Sequence, residues 1–198
     1  GDEGVPEELR HGTEALGRAI AARDSRVRFG RNPANIGIAG NFNQVLARSR
    51  GELFKWATAD DICLPGYLEA CIRVLDAEPD VVLAYGKAEF IDEEGRALPI
   101  VDPGWHLAKD SPSDRFQQVL ASAHWVNSLV GVARRSALMR TRLLRDYPGG
   151  DYALLGELSL LGKVVEVPEV LYQRRMHDGA MSQHVGDPEW QKRFFGQH

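Results

Sequence analysis

Leu53-Phe54-Lys55-Trp56-Ala57-Thr58-Ala59-Asp60-Asp61-Ile62-Cys63-Leu64-Pro65-Gly66-Tyr67-Leu68-Glu69 is the stretch on which the fold turns. Leu53 to Ala57 reads as a buried strand, and it runs directly into an acidic pair, Asp60-Asp61. Pro65 then opens a helix in the first-turn position that proline tolerates. That helix reaches about Ala77 and turns Leu68, Cys71, Ile72 and Leu75 inward. An acidic loop at the carboxyl end of a strand is where open α/β sheets place their ligands. Upstream, Pro6 to Asp24 carries helical periodicity with Leu9, Leu16, Ala19 and Ile20 on one side. Val27 to Phe29 reads as a short strand, 32–37 as a loop, and Asn41 to Arg50 as a helix ended by Gly51.

Downstream, Val81 to Ile91 and Ala97 to Val101 flank Asp92-Glu93-Glu94-Gly95 as a hairpin. Asp102 to Pro112, with two prolines, a glycine and Trp105, reads as a mobile surface loop able to serve as a lid. The pattern continues with a helix over 113–122, extended chain from Ser128 to Ala133 and a helix from Arg135 to Leu144. A break at Tyr147-Pro148-Gly149-Gly150 precedes an apolar helix over 151–161 capped by Gly162. Strands at Val164 to Val167 and Val170 to Gln173 close it, ahead of a polar tail with Trp190, Phe194 and Phe195 as packing anchors. Strands alternating with helices place the chain in the α/β class, with a parallel or mixed sheet covered by helices.

The composition excludes several functions. The chain has 198 residues, 43% hydrophobic and 26% charged, enough for one real core or at most two small ones. Twenty-four basic against 28 acidic residues leave a net charge of -4, without the basic excess that nucleic-acid binding draws on. Cys63 and Cys71 form neither a metal knuckle nor a disulfide framework, which fits a reducing cytoplasm. No apolar run approaches the roughly 18–20 residues that span a bilayer. No GxGxxG lies between a strand and a helix, which disfavours a dinucleotide-dependent oxidoreductase.

Five groups of residues are candidates for chemistry. Adjacent carboxylates repel unless compensated, so Asp60-Asp61 on a strand-end loop fits a hard divalent cation; capping of the following helix is the plainer alternative. Asn35-x-Gly37 followed by Asn41-Phe42-Asn43 puts amides ahead of a helix N-terminus, a place for a diphosphate or ribose or simply a turn. Asp151 after Gly149-Gly150 is either an N-cap or a carboxylate placed to accept a proton from a substrate hydroxyl. Glu157 falls on another face and reads as a partner for a nearby arginine. His177 is a candidate metal ligand or phosphate contact, or an ordinary solvated histidine, and Arg174 or Arg175 can grip phosphate oxygens. His124-Trp125 with Asn127 suits the mixed surface of a sugar, while core packing explains Trp125 equally well.

In order, these segments resemble a family 2 glycosyltransferase of the GT-A fold, the inverting type that uses nucleotide sugars. The matching stretches are Arg31-Asn32-Pro33-Ala34-Asn35-Ile36-Gly37, Asn41-Phe42-Asn43, Gly51 to Trp56 and Asp60 to Glu69. Gly150-Asp151-Tyr152 follows, with glycine where the family has Glu, and then Val167 to Tyr172 and Arg175-Met176-His177. The resemblance implies a mixed, mostly parallel sheet flanked by helices in three layers. It implies one domain over 1–198, with a nucleotide-sugar and metal half at about 1–100, an acceptor half at about 101–182 and a tail at 183–198. It also implies Asp151 as catalytic base and a nucleotide-sugar site of Asn35, Gly37, Asn41, Asp60 and Arg175. Asp61 and His177 would hold Mg²⁺ or Mn²⁺, and Trp105, His124 and Trp125 would meet a hydroxyl-bearing acceptor. The family's opening strand-helix-strand, which forms its nucleobase pocket, has no counterpart here, so an N-terminally incomplete fold is expected, with an exposed sheet edge that favours self-association. With Gly150 in place of Glu, that gap also leaves open a catalytically inactive, sugar- or partner-binding module. Either way the expected location is the cytoplasm or the inner face of its membrane.

Overall fold

Eleven residues from Val81 to Ile91 and thirteen from Lys163 to Arg175 form the two long strands of the sheet, and they pair in parallel. In the computed structural model, which describes residues 7–100, 102, 104–121 and 126–178, these are β3 and β5. Around them lie β1 (Leu53–Phe54), β2 (Ile62–Cys63) and β4 (Val132–Arg134), in the order β1-β4-β3-β5-β2. The helices are α1 (Glu7–Arg23), α2 (Gly37–Arg48), α3 (Tyr67–Ala77), α4 (Pro112–Ala121), α5 (Arg135–Leu138) and α6 (Gly150–Leu161), with a 3-10 helix at Asn127–Val130. The sheet is mixed as expected: the long central ladder is parallel, while the three short pairings, β1/β4, β3/β4 and β2/β5, are antiparallel.

Two apolar clusters cover the two faces of the sheet and give the expected three layers. On one side Tyr67, Cys71 and Leu75 of α3 bury against Val81, Ala84, Val132, Val165 and Tyr172. On the other, Leu46 of α2 and Leu154, Leu155 and Leu158 of α6 pack with Trp56, Leu83, Tyr85 and Val164. Burial on both faces explains why β3 opens with an unbroken apolar run and not an alternating one. The α3 residues recur at every fourth position and lie on one helical face, as the periodicity predicts.

Several boundaries differ from the sequence reading, each for a local reason. The strands expected at 164–167 and 170–173 are one strand: register with β3 shifts after Gly86, where Pro168 and Glu169 bulge outward and stay exposed. The strand expected at Val27 to Phe29 does not form, and this segment lies outside the sheet. The β1 ladder stops at Phe54; Trp56 beyond it is held by its indole N–H donating to the Phe42 carbonyl at 3.0 Å. Helix α2 starts at Gly37, four residues before expected, because Asn35 Oδ1 accepts the Gly37 N–H at 2.9 Å and starts the turn. The extended stretch expected from Ser128 begins as the 3-10 helix, and the helix expected from Arg135 to Leu144 ends at Leu138. Helix α3 begins two residues after Pro65, with Gly66 at φ 86° as its cap.

The side of α1 expected to face inward does not bury: Leu16 is 62% and Ile20 44% exposed. The 102–112 loop is fastened to the core. Trp105 is 4% exposed, its backbone N–H bonds the Tyr85 hydroxyl, and Leu107 exchanges both backbone bonds with Val164. Trp105 is therefore a core residue, packed edge-to-face on Tyr152 with ring centroids 5.2 Å apart, and it is not presented on the surface to an acceptor. His124, Trp125 and the 183–198 tail lie outside the described residues.

Candidate active site

The antiparallel pairing of Ile62 with Gln173 and Cys63 with Tyr172 lays the acidic loop beside the end of β5. Asp61 becomes the hub. Its Oδ2 accepts hydrogen bonds from the Thr58 hydroxyl (2.6 Å) and the Tyr172 hydroxyl (2.6 Å), and its Oδ1 accepts the Arg175 backbone N–H (2.8 Å). Three of the roughly four acceptor positions of a carboxylate are thus filled. Burial and the adjacent Asp61 carboxylate push the Tyr172 phenol far above its ordinary pKa, so it stays protonated and donates. Beneath it, Lys55 Nζ lies 5.0 Å from the Tyr67 ring centroid and 5.6 Å from that of Tyr172, and donates to the Trp56 carbonyl. Burial lowers the Lys55 pKa.

Asp60 is the exposed member of the pair. Its Oδ2 stands 3.1 Å from His177 Nε2, two residues beyond the end of β5. Arg175 braces this loop from behind. Its Nε donates to the Asp60 carbonyl at 3.0 Å, and its Nη1 to the carbonyls of Asp92 and Glu93 at 2.8 Å each. The guanidinium expected to grip a nucleotide sugar is committed to tying the acidic loop to the 92–95 turn. Among the described residues no group of three or more His, Cys, Asp and Glu side chains converges as a metal cluster. Asp60 and His177 nonetheless fit a shared cation: cis ligands on an octahedral ion with bonds of about 2.1 Å lie about 3 Å apart, and magnesium-type sites commonly take few protein ligands plus substrate phosphates.

Asp151 sits in the first turn of α6. The cap is Gly149, at φ 82°, so the capping role weighed for Asp151 is not the one it plays. Its carboxyl accepts the Tyr152 N–H at 2.9 Å, and the residue lines a small apolar cavity with Trp56, Leu83, Val126 and Leu129. Burial raises its pKa, opposed first by the hydrogen bond from the Tyr152 N–H and least by the positive charge of Arg174. Gly150, where the resemblance leads one to expect Glu, has a steric cause: a Cβ there would meet the Arg145 carbonyl oxygen at 2.4 Å. Glu157 pairs with Arg142 as expected.

Asn35 and Gly37 form the turn that opens α2, and Asn41, inside that helix, accepts a hydrogen bond from Asn32 at 3.1 Å. Asn43 clamps both backbone groups of Leu144, 101 residues away in sequence. This segment organises the turn ahead of Asp151 and is not joined to the Asp60-Asp61 loop by these bonds. The sequence reading missed Thr58, Tyr172 and Lys55. The Thr58-to-Asp61 spacing carried a local signal, whereas Tyr172 meets Asp61 across 111 residues and was legible only through the β2/β5 register.

A mixed sheet layered between helices, with an acidic loop at its edge and a carboxylate at a helix start, is the architecture of a GT-A-type transferase. Residues 10–144, more than half of the chain, match the family described as Glycosyl transferase family 2, and the chain belongs to that family. It is similar to an uncharacterized glycosyltransferase of Methanocaldococcus jannaschii, 30% identical over 107 residues, 54% of this chain and 37% of that protein. It is also similar to an uncharacterized glycosyltransferase of Haemophilus influenzae, 23% identical over 170 residues, 82% of this chain and 52% of that protein. The chain thus spans about half the length, or less, of these relatives. Among the described residues no helix is long and apolar enough to cross a membrane.

Proposed function

We propose that this domain transfers a glycosyl group from a nucleoside-diphosphate sugar to a hydroxyl-bearing acceptor, with inversion at the anomeric carbon and with the help of Mg²⁺ or Mn²⁺. The observation that carries this reading is the Asp60–His177 contact, held in place by the Asp61 hub and the Arg175 brace. Asp60 and His177 would hold the cation, with the remaining acceptor position of Asp61 Oδ1 beside them. Such an ion, when bound, supplies positive charge to the departing diphosphate. Asp151 accepts the proton of the acceptor hydroxyl as its oxygen attacks the anomeric carbon and the bond to the diphosphate oxygen breaks. One displacement inverts that carbon. Partial burial suits Asp151 to this task, because it raises the proton affinity of a carboxylate toward that needed at neutral pH.

The test is a calorimetric titration with UDP, GDP and dTDP, each with and without Mn²⁺, on the wild type and on Asp60→Ala and His177→Ala. Binding of one nucleotide that needs the metal, weakened about tenfold or more in either variant, is the expected result. Asp151→Asn should bind as the wild type does and lose about 10²- to 10⁴-fold in transfer. Metal-independent binding that ignores both substitutions would overturn the site.

A further inference from the structure

Asn43 spends its amide on distant backbone. Its Nδ2 donates to the Leu144 carbonyl at 2.8 Å and its Oδ1 accepts the Leu144 N–H at 3.1 Å, so helix α2 grips both polar groups of a residue 101 positions away. A flipped amide would set donor against donor and acceptor against acceptor, which fixes its orientation. The gripped turn is strained. Leu143 has φ 60°, the one non-glycine residue at positive φ among the described residues, a conformation that costs a bulky side chain energy and persists where its neighbours enforce it. Those neighbours are the Asn43 clamp, the Thr141 hydroxyl that accepts the Leu143 N–H at 3.1 Å, and the apolar core in which Leu144 is buried and against which Leu143 packs. From Leu144 the contacts run on to Asp151. The Arg145 carbonyl abuts Gly150 so closely that no Cβ would fit there, and the Gly150 N–H donates to the Tyr147 carbonyl at 3.1 Å. Gly150 opens α6, and Asp151 is the next residue. A second approach brings the same two segments together: a Cβ on Gly37, at the start of α2, would lie 3.6 Å from Asp146 Oδ2.

We propose that Asn43 is a positioning residue for Asp151: its amide clamp holds the strained turn after Leu143, and through the contact of Arg145 with Gly150 it fixes where the first turn of α6 presents the carboxyl. The clamp gives Asn43 a task other than the ribose or diphosphate contact that its sequence neighbourhood suggests. Bonds within the turn fix its shape, whereas an anchor on α2 fixes its place. Helix α2 is a firm platform for this, since its Leu46 is fully buried. On the other side of Asp151, Trp105 packs edge-to-face on Tyr152 at 5.2 Å, so the first turn of α6 is pinned both before and after the carboxylate. Within that turn the Tyr152 N–H holds Asp151 Oδ1 at 2.9 Å. A proton acceptor works only within hydrogen-bond reach of the hydroxyl it serves, and a displacement of about 1 Å costs on the order of a hundredfold in rate.

This inference rests on reading Asp151 as the base, and its test separates the two. Release of nucleoside diphosphate from UDP-glucose, GDP-mannose and dTDP-glucose is followed with Mn²⁺, water serving as acceptor, in the wild type, Asn43→Ala, Asp151→Asn and the double variant. Asn43→Ala should lower kcat about tenfold or more while the KM for the donor stays within about twofold of the wild type. In the Asp151→Asn background it should cost nothing further. A second measurement needs no turnover. Relaxation-dispersion NMR on the ¹⁵N amides of Gly150, Asp151 and Tyr152 should show millisecond exchange in Asn43→Ala that the wild type lacks, with the amides of β3 and β5 unchanged. If no donor is hydrolysed, the dispersion result decides. If Asn43→Ala does not fold, Asn43→Asp, which keeps the acceptor for the Leu144 N–H and loses the donor, takes its place. Equal loss in KM and kcat, exchange spread through the sheet, or a first turn of α6 as still as in the wild type overturns the proposal. Full turnover in Asp151→Asn would instead remove the base assignment and leave the dispersion result to decide whether Asn43 holds the turn.

Discussion

Asp61 is held by side chains that come from two places in the chain, and the Tyr172 hydroxyl is the distant one. Tyr172→Phe leaves a part-buried carboxylate one donor short, and should cost about 1–2 kcal/mol in urea unfolding while weakening metal-dependent nucleotide binding. Asp151 predicts the reverse sign. Its folded pKa is raised by burial above the ordinary 3.8, so the folded state holds the proton more tightly than the unfolded state does. Stability is therefore lost as pH rises from 3.8 through the folded value, and the ionised carboxylate is a burden at neutral pH. Asp151→Asn should unfold at higher urea than wild type at pH 7, with the difference closing below pH 3.8, even as transfer fails. A gain in stability with a loss of activity marks a residue kept for its chemistry.

At the scale of the element, α3 follows its sequence pattern closely. Cys71 and Leu75 are fully buried, while Leu68, in the first turn, is 52% exposed. Leu75→Ala should cost about 2–5 kcal/mol and Leu68→Ala less than about 0.5 kcal/mol, read from matched urea curves. Leu68 was expected inside, but Tyr67 takes the buried place in the first turn and Leu68 is exposed. The glycine after α6 is also read correctly in place and wrongly in cause. Gly162 is extended, at φ -178°, and needs no left-handed conformation; a Cβ there would meet Val82 Cγ1 at 2.4 Å and the Asp80 carbonyl at 2.5 Å. The position is set by close approach of the α6–β5 turn to β3.

Across the whole molecule, protection is uneven. The β3/β5 ladder carries apolar cores on both faces, whereas α1 buries none of its residues from Gly12 onward. It is held by an ion pair from Glu14 to Arg31, by Arg18 lying over the Phe29 ring and by Gly17 against the same ring. Amides of α1 should exchange with solvent orders of magnitude faster than those of β3, β5 and α3, since exposed ion pairs contribute little and opening α1 exposes little new apolar surface. Hydrogen-exchange mass spectrometry reads this directly. Equal protection in α1 and β3 would contradict it.

The sequence by itself determined the layered α/β architecture, the helix at 151–161, the hairpin turn at 92–95 and the ordered segments that mark family 2. These depend on local periodicity, turn chemistry and the spacing of nearby residues, all of which a linear chain displays. Only the tertiary structure decided the fates of individual site residues. It set Asp61 as a hydrogen-bond hub, paired Asp60 with His177, spent Arg175 on backbone carbonyls, sank Trp105 into the core and tied Arg174 to Asn127. Each of these follows from the register of β5 against β2 and β3, or from contacts between segments tens of residues apart. Pairing register is chosen by the packing of both sheet faces at once, and no window of sequence contains both partners.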